Sequence, residues 1–207
     1  MTFITGRRGG ALWVLSMVLA GLLVSKTQAA DPAAGATAYF AGGCFWCMEE
    51  VFEKVPGVTS VVSGYMGGRV EHPSYEQVSA GGTGHAESVE VVYDPAKVSY
   101  SRLLEAFWHN VDPVTPNAQF CDHGSQYRAV IFYQGEEQKR AAEESKRAIE
   151  QSQRLTQPIV TELTKASQFY SAEEYHQDFY KKNPIRYKFY KFNCGRAQRL
   201  EEVWGAP

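Results

Sequence analysis

The feature of the sequence that most constrains the fold is a passage in which a strand is followed, across two glycines, by a helix. Residues 38–43, AYFAGG, have the apolar character of a short buried strand. After them, apolar residues recur at the i, i+3, i+4, i+7 spacing of a helix that packs on a core, namely Met48, Val51, Phe52 and Val55. Pro56 and Gly57 end this helix. Cys44 and Cys47 therefore lie in its first turns.

The rest of the chain alternates between strand and helix patterns without a strict βαβ rhythm. The patterns predict further strands at 58–68, 87–95, 126–134 and 158–166, and helices at 99–111, 135–155 and 171–182. For the last helix, Ser171 and Glu174 form a capping box, and Pro184 follows as a terminator. We therefore expect one α+β domain, a mixed sheet with helices mostly on one side.

The N-terminus has the pattern of a secretory signal peptide. Arg7 and Arg8 precede an apolar run of 14 residues, and small residues follow it. Because a bilayer span needs about 20 residues, an uncleaved membrane anchor is the less favoured alternative. The sequence predicts a signal peptide at 1–29, a flexible linker at 30–38, and a single catalytic domain with a C-terminal tail at 39–207. For a bacterial chain, this organisation predicts export to the periplasm.

The charge of the predicted mature chain argues against two classes of partner. Without residues 1–29, 18 basic and 23 acidic residues remain, which is a net charge of −5. An acidic chain disfavours binding to nucleic acid or to an anionic membrane, and we expect no stable membrane insertion after cleavage.

The sequence supports neither a metal nor an organic cofactor. Cys121 and Cys194 belong to no Cys-x-x-Cys or His-x-His pair, which a structural metal site would need.

The chemistry of the sequence centres on Cys44 and Cys47. Free backbone N–H groups at the start of a helix favour a thiolate, so we expect a lowered pKa for Cys44. Cys47 lies almost one turn further on, on nearly the same face. Taken alone, the pair fits a disulfide exchanger, a peroxide-reactive thiol, half of a metal site, or a buried cysteine with a bystander. The residues themselves lead no further than thiol-based redox chemistry.

Five segments together resemble the peptide methionine sulfoxide reductase A family. They are GGCFWCMEEVFEKVPGV, GYMGG, HPSYEQVSAGGTGHAESVEVVYDP, CDHGSQYRAVIFY and KNPIRYKFYKFNCG, in the order of the family and over nearly the whole predicted mature chain. The resemblance implies a ferredoxin-like α+β fold with the catalytic thiol at a strand-to-helix junction. It also implies reduction of the S epimer of methionine sulfoxide, free or in proteins, a lesion for which each epimer needs its own enzyme.

The resemblance assigns a role to each matched residue. Cys44 is the thiol that attacks the sulfoxide sulfur and becomes a sulfenic acid. Glu87 matches the carboxylic acid that protonates the sulfoxide oxygen, a role that requires a neutral carboxyl group in a dry pocket. Tyr75 and Tyr127 match a pair of hydroxyl donors to that oxygen. The remaining matches are Asp122, which orders the hydrogen bonds of the site, and Phe45 and Trp46, which form the wall for the substrate methyl group. His85 and His123 are expected to be structural.

The sequence departs from many relatives in the cysteines that could resolve the sulfenic acid. These relatives have Gly-Cys-Phe-Trp-Gly and keep their resolving cysteines in a flexible tail, whereas Cys47 replaces that last glycine here. We expect Cys47 to resolve first and Cys194 to be the competing or second-step resolver, while the role of Cys121 stays open. A thioredoxin-like dithiol protein then reduces the disulfide. We expect the protein to act as a monomer.

Two other functions remain as rivals of the reductase. A dithiol-disulfide oxidoreductase would use the same Cys-x-x-Cys spacing and would not depend on Glu87. A non-catalytic module that binds oxidised or unfolded proteins in an aromatic pocket would keep its binding without Cys44.

Overall fold

The computed structural model describes residues 1–3 and 35–205. Nearly all of the predicted signal peptide and most of the predicted linker lie outside these described residues, so both stay predictions. The first strand begins at Ala36, so residues 36–38 belong to the sheet and not to a linker. Within the described ranges, no helix is both long enough and apolar enough to cross a membrane.

Eight strands and seven helices occur in residues 35–205. The strands are β1 (Ala36–Gly42), β2 (Val58–Met66), β3 (Ala86–Tyr93), β4 (Ala118–Gln119), β5 (Asp122–His123), β6 (Ala129–Tyr133), β7 (Glu162–Lys165) and β8 (Tyr170–Ser171). The helices are α1 (Phe45–Glu53), α2 (Tyr75–Ser79), α3 (Tyr100–Trp108), α4 (Gly135–Gln151), α5 (Phe179–Lys182), α6 (Pro184–Asn193) and α7 (Arg196–Trp204), and a 3-10 turn spans Ser125–Tyr127.

Six of the strands form one mixed sheet in the order β7-β6-β1-β3-β2-β8. Only β6 and β7 pair in parallel, and the other pairs are antiparallel. The central order β6-β1-β3-β2, with α1 after β1 and α3 after β3, is the ferredoxin-like arrangement. The prediction of a ferredoxin-like α+β fold with a mixed sheet is confirmed, and residues 35–205 fall within one compact unit.

The alternation of side chains along β1 divides the core between the two faces of the sheet. Phe40 points to the main core, where it stacks on Phe52 of α1 and Phe107 of α3 at centroid distances of 4.7 and 5.3 Å. Its neighbour Ala41 belongs to a smaller cluster on the opposite face, with Phe132. The apolar stripes of α1, α3 and α4 therefore cover one face of the sheet, as expected from the sequence.

The predicted helix at 171–182 is wrong. Ser171 ends β8, and only residues 179–182 are helical. The side chain of Gln177 holds this segment against β2, because it accepts from Ser63 N at 2.9 Å and donates to Ser63 O at 2.9 Å. These tertiary hydrogen bonds outweigh the local helix signal. Helix α5 ends at Lys182, two residues before Pro184, and Pro184 itself occupies the first turn of α6.

The C-terminus is not a loose tail. It forms α6 and α7, which return to the body of the molecule. Trp204 Nε1 donates to Val111 O at 2.9 Å, and Arg199 forms an ion pair of 2.8 Å with the buried Asp112. These contacts fix the path of α6 and bring its side chains to the start of α1.

Candidate active site

The thiol of Cys44 is presented by a sharp change of direction between β1 and α1. Gly43 has φ +80°, a left-handed conformation that side chains disfavour, and a Cβ atom at this position would lie 2.5 Å from Gln119 Cβ. Cys44 then forms the N-cap of α1, and its carbonyl accepts from the N–H groups of Cys47 and Met48 at 3.1 and 3.3 Å. The two glycines thus allow the strand to pass directly into the helix.

A small open pocket adjoins Cys44. It brings together seven of the nine residues predicted for the site from the sequence. Its lining consists of Cys44, Phe45, Trp46, Tyr75, Glu87, Asp122, Tyr127 and Tyr190. Cys47 is buried behind Cys44, and Cys194 lies outside the pocket lining. A buried thiol, two carboxyl groups and three phenols therefore converge on one apolar-walled cavity.

Glu87 is a buried acid that retains its proton at neutral pH. Its side chain, at the start of β3, is 3% exposed. Burial raises the pKa of Glu87 to about 8, although Phe45 N donates to the carboxylate at 3.1 Å and opposes the rise. Asp122 and Cys47 add to the rise through their negative charges. A carboxyl group with this pKa can act as a general acid at neutral pH.

Tyr75 and Tyr127 approach the pocket from separate elements. Tyr75 is the first residue of α2, which begins with a capping box at Ser74, and Tyr127 ends the 3-10 turn. Burial and the nearby Glu87 charge raise the pKa of Tyr75 to about 12 and raise that of Tyr127 as well. Both hydroxyl groups stay protonated at physiological pH and can donate hydrogen bonds into the pocket.

Asp122 orients a residue that sequence reasoning missed. Its Oδ2 atom accepts a hydrogen bond of 2.5 Å from the Tyr190 hydroxyl group, and burial raises the pKa of Asp122. Tyr190 lies on α6 and lines the pocket beside Cys44, and burial raises the pKa of its hydroxyl group. The hydrogen bond between Asp122 and Tyr190 therefore joins the loop at β5 to α6 beside Cys44.

Cys44 and Cys47 form a buried, hydrogen-bonded thiol pair, and neither is in a disulfide. Burial raises the pKa of the Cys44 thiol well above its usual range, which corrects the expectation that the helix N-terminus lowers it. The hydrogen bond from Cys44 lowers the pKa of Cys47 to about 6. The two thiols therefore titrate as a coupled pair, in which a negative charge on one sulfur atom stabilises the proton on the other.

Residues of α6 and α7 surround Cys47 and favour its charge. Buried Arg196 and the partly exposed Lys191 lower its pKa electrostatically, and Tyr187 packs in the same buried cluster. Tyr187 and Lys191 also meet at Glu50 Oε2, each at 2.5 Å. The C-terminal segment therefore supplies the polar environment of Cys47.

Phe45 and Trp46 form the apolar wall, as the sequence predicted, but each also has a structural partner. Trp46 stacks on Phe179 of α5 at a centroid distance of 3.7 Å, and its Nε1 donates to His176 Nδ1 at 3.1 Å. The ring of His176 lies 5.0 Å from Phe45 and 4.4 Å from Tyr75. Burial lowers the pKa of His176, so this ring is neutral and serves as a spacer between the aromatic side chains.

The other two cysteines form a disulfide near the molecular surface. Cys121 and Cys194 are bonded to each other, with Cα atoms 4.7 Å apart and 73 positions apart in the sequence. Cys121 is exposed and precedes Asp122, and Cys194 caps the end of α6. The bridge therefore joins the two segments that the Asp122–Tyr190 hydrogen bond also joins. Cys194 is not free to react with Cys44 in this state.

Two groups of potential metal ligands occur among the described residues. One is Cys121, Asp122 and Cys194, whose sulfur atoms are joined to each other. The other is Glu49, Glu53 and Asp178, where the carboxylates of the two glutamates already accept hydrogen bonds from Ser63, Asp178 N, Tyr180 and Lys181.

His85 and His123, which the sequence predicts to be structural, are not part of the pocket lining. His85 is buried, accepts from Gly68 N at 3.1 Å and contacts Val70 O at 2.8 Å, so it holds a loop together. His123 is exposed in β5. The residues missed by sequence reasoning are Tyr187, Tyr190 and Arg196 near the C-terminus, together with His176. The three-residue spacing of the two tyrosines, followed by Cys194, was the available signal for a helix face directed at the thiols.

Comparison with known proteins finds relatives with one shared name. The family model described as peptide methionine sulfoxide reductase matches residues 36–207. The protein named peptide methionine sulfoxide reductase MsrA from Bacillus subtilis (strain 168) is 50% identical over 169 residues, which are 82% of this chain and 96% of that relative.

Solved structures show the same fold. The crystal structure of Mxr1 from Saccharomyces cerevisiae in reduced form is similar with a TM-score of 0.69 and 31% identity, over 77% of this chain and 92% of that chain. The structure of Mxr1 in complex with Trx2 is similar with a TM-score of 0.51 and 22% identity, over 74% and 91% of the two chains. This second similarity concerns the fold alone.

Proposed function

The chain belongs to the peptide methionine sulfoxide reductase family, and from this premise we propose that it reduces methionine-(S)-sulfoxide, free or within proteins, to methionine. The proposal rests on one observation, the neutral buried acid Glu87 beside the thiol of Cys44. A sulfoxide oxygen must be protonated before it can leave sulfur, which a neutral carboxyl group can do, whereas reduction of a disulfide breaks no sulfur–oxygen bond.

The first step transfers the oxygen atom from the substrate to Cys44. The Cys44 sulfur attacks the sulfoxide sulfur while its proton moves to the Cys47 thiolate, and Glu87 gives its own proton to the oxygen. Tyr75 and Tyr127 donate hydrogen bonds to that oxygen as charge develops on it. The products are methionine, Cys44 sulfenic acid, a Cys47 thiol and a Glu87 carboxylate, so protons and charge balance.

The second step forms a disulfide and releases water. The Cys47 sulfur attacks the sulfur of the Cys44 sulfenic acid, and the hydroxyl group leaves with the Cys47 proton as water. Glu87 regains a proton from solvent. Support for Cys47 as the resolving residue comes from its hydrogen bond to Cys44 and its lowered pKa, while Cys194 is engaged with Cys121.

A dithiol protein of the thioredoxin type is the proposed reductant of the Cys44–Cys47 disulfide. It attacks one sulfur as a thiolate and leaves as a disulfide, so two electrons pass to this chain in each cycle. The existence of a structure of Mxr1 in complex with Trx2 supports this type of partner. We propose that the protein acts as a monomer.

Export is the second part of the proposal. The pattern of residues 1–29 supports secretion to the periplasm, where the enzyme would repair oxidised exported proteins. Fractionation of cells that express the full chain, followed by mass determination of the N-terminus, tests this. A cytoplasmic protein that begins at Met1 would contradict it, and so would one that stays in the membrane fraction.

The deciding experiment on the reaction uses the chain without residues 1–29 and racemic methionine sulfoxide, with no reductant added. We expect consumption of the S epimer alone, one equivalent of methionine per protein, and a new Cys44–Cys47 bridge in the mass map. Consumption of neither epimer, together with reduction of insulin disulfides, would replace the proposal by a disulfide exchanger. Consumption of the S epimer with a Cys44–Cys194 bridge would keep the reaction and reassign the resolving cysteine.

A further inference from the structure

Helix α6 exposes large apolar side chains to solvent. Ile185, Phe189 and Phe192 are 85%, 71% and 83% exposed and follow the i, i+4, i+7 spacing of one helix face. Pro184, Ile185 and Phe189 line a shallow groove there together with Arg186. Exposed apolar side chains grouped in this way mark a site of interaction, whereas single ones are ordinary.

This exposed face adjoins the active-site pocket. The opposite face of α6 carries Tyr190, which lines the pocket. Arg186, one turn before Tyr190, places its guanidinium group over the ring of Phe179 at 5.7 Å, and Phe179 in turn stacks on Trp46 in the pocket wall. A chain that leaves the pocket over Trp46 and Tyr190 therefore meets Arg186 and the groove.

The face is positively charged on an otherwise acidic chain. Lys181, Lys182 and Lys191 form ion pairs with carboxylates of the protein, but Arg186 and Lys188 form none with the described residues. Both are exposed. The predicted mature chain has a net charge of −5, so uncompensated positive charge at this position stands out from its surroundings.

We propose that Ile185, Arg186 and Phe189, named here the α6 rim, form the docking surface for the polypeptide that flanks an oxidised methionine, and that the rim favours flanks with apolar and acidic residues. The inference rests on the proposed reductase function and extends it to the choice among polypeptide substrates. Free methionine sulfoxide fills only the pocket and does not reach the rim.

A polypeptide fits these observations better than a membrane or a second copy of the chain. The rim continues the wall of the pocket through Phe179 and Trp46, so a polypeptide whose sulfoxide side chain enters the pocket can lie along the rim. An anionic bilayer would be repelled by the negative charge of the rest of the chain. Two copies that met rim to rim would bring their Arg186 side chains together, and the groove lining has no carboxylate to neutralise them.

The test uses two peptides that contain a single methionine-(S)-sulfoxide between leucines, one with glutamates further out and the other with lysines. Arg186→Glu is expected to lower the ratio of kcat/KM for the acidic over the basic peptide by about fivefold to tenfold, because a rim charge is reversed. Ile185→Ser/Phe189→Ser is expected to lower kcat/KM for both peptides by about tenfold, because apolar contact is lost. Both variants should reduce free methionine sulfoxide at the parent rate.

Arg140→Glu on α4 is the matched control, since it makes the same charge change at an exposed residue outside the pocket lining. A ratio within twofold of the parent for Arg186→Glu would overturn the proposal, and so would an equal loss on free methionine sulfoxide. Binding of the labelled peptides to the Cys44→Ser variant, measured by fluorescence anisotropy, reports docking without turnover. It therefore tests the role of the α6 rim even if the parent protein reduces no sulfoxide. If the rim variants lost binding to anionic vesicles but kept the parent ratio of kcat/KM for the two peptides, the rim would be a membrane-binding surface. This result would also overturn the proposal.

Discussion

The two cysteine pairs of this protein differ in environment, spacing and state. Cys44 and Cys47 are three positions apart on one helix, buried among aromatic rings, and free. Cys121 and Cys194 are 73 positions apart, lie nearer the surface, and are bonded to each other. The Cys-x-x-Cys spacing would suggest that the first pair is the one most ready to form a disulfide, yet the pair distant in sequence is the bonded one.

This comparison shows that identical side chains can have different functions when their environments differ. In the first pair, Cys44 lines a pocket that also contains Glu87, and Cys47 is buried behind it. The second pair touches the same site only through its neighbours, because Cys121 precedes Asp122 and Cys194 follows Tyr190 by four residues. We therefore expect the first pair to perform the reaction and the second to stabilise the framework around it.

The largest expected effect comes from removal of the attacking thiol. Cys44→Ser should abolish methionine formation, both with and without reductant, because a hydroxyl group cannot accept the sulfoxide oxygen. Cys121→Ser is the matched control and should stay within about threefold of the parent rate at 25 °C. Activity is measured by chromatographic quantification of methionine from the S epimer. If Cys121→Ser were the inactive variant, the roles of the two pairs would be reversed.

The next effect concerns the acid beside the first pair. Glu87→Gln should lower the rate of the first turnover by about 10²-fold to 10³-fold, because it removes general acid catalysis and little volume. In the parent, the pKa of Glu87 is about 8, so the acid is protonated below that pH and the rate should fall as pH rises through it. The measurement is a quench-flow series from pH 5 to pH 10.

The variant Glu87→Gln should lack this decrease at high pH. A decrease that persists unchanged in the variant would assign the titration to another group. A second decrease in rate, at low pH, should remain in both proteins. Protonation of Cys47, whose pKa is about 6, removes the base that receives the Cys44 proton.

The fold was largely accessible from sequence because its main signals are local. Met48 and Phe52 in α1 and Leu103 and Phe107 in α3 are buried where the helical period predicts them. The helix predicted at 171–182 failed because Gln177 hydrogen bonds to β2, a contact between residues 114 positions apart. Local patterns such as the Ser171 and Glu174 capping box contain no information about a contact at that distance.

The residues of the candidate site also differ in whether the sequence predicts them. Cys44, Glu87 and Tyr75 were accessible because they fall in segments that resemble a known family. Tyr190 and Arg196 reach the site only through the packing of α6 and α7, for which the sequence patterns predicted no helices. The pKa of Cys44 was predicted in the wrong direction, because burial by the same helices outweighs the effect of the helix N-terminus.

A smaller effect on turnover separates attack from resolution. Cys47→Ser should still release one equivalent of methionine, more slowly than the parent, and should accumulate a Cys44 sulfenic acid that dimedone traps. Turnover with a thioredoxin-type reductant should fall by about 10-fold to 100-fold, because no intramolecular disulfide forms. Mass spectrometry of the dimedone adduct provides the measurement. Parent-level turnover by Cys47→Ser, with loss of turnover in Cys194→Ser, would transfer resolution to the second pair.

The smallest effect on activity, and a clear one on stability, is expected for the second pair. A bridge between residues 73 positions apart restricts the unfolded chain, so Cys121→Ser/Cys194→Ser should lower the free energy of unfolding by about 2–4 kcal/mol. The activity at 25 °C should change by less than about threefold, because the hydrogen bond from Tyr190 to Asp122 still joins the same two segments. Urea denaturation of the parent with and without reductant gives the same comparison without mutation. If reduction left the midpoint unchanged while the double variant lost turnover, the second pair would belong to the redox cycle, and the division of tasks between the two pairs would fail.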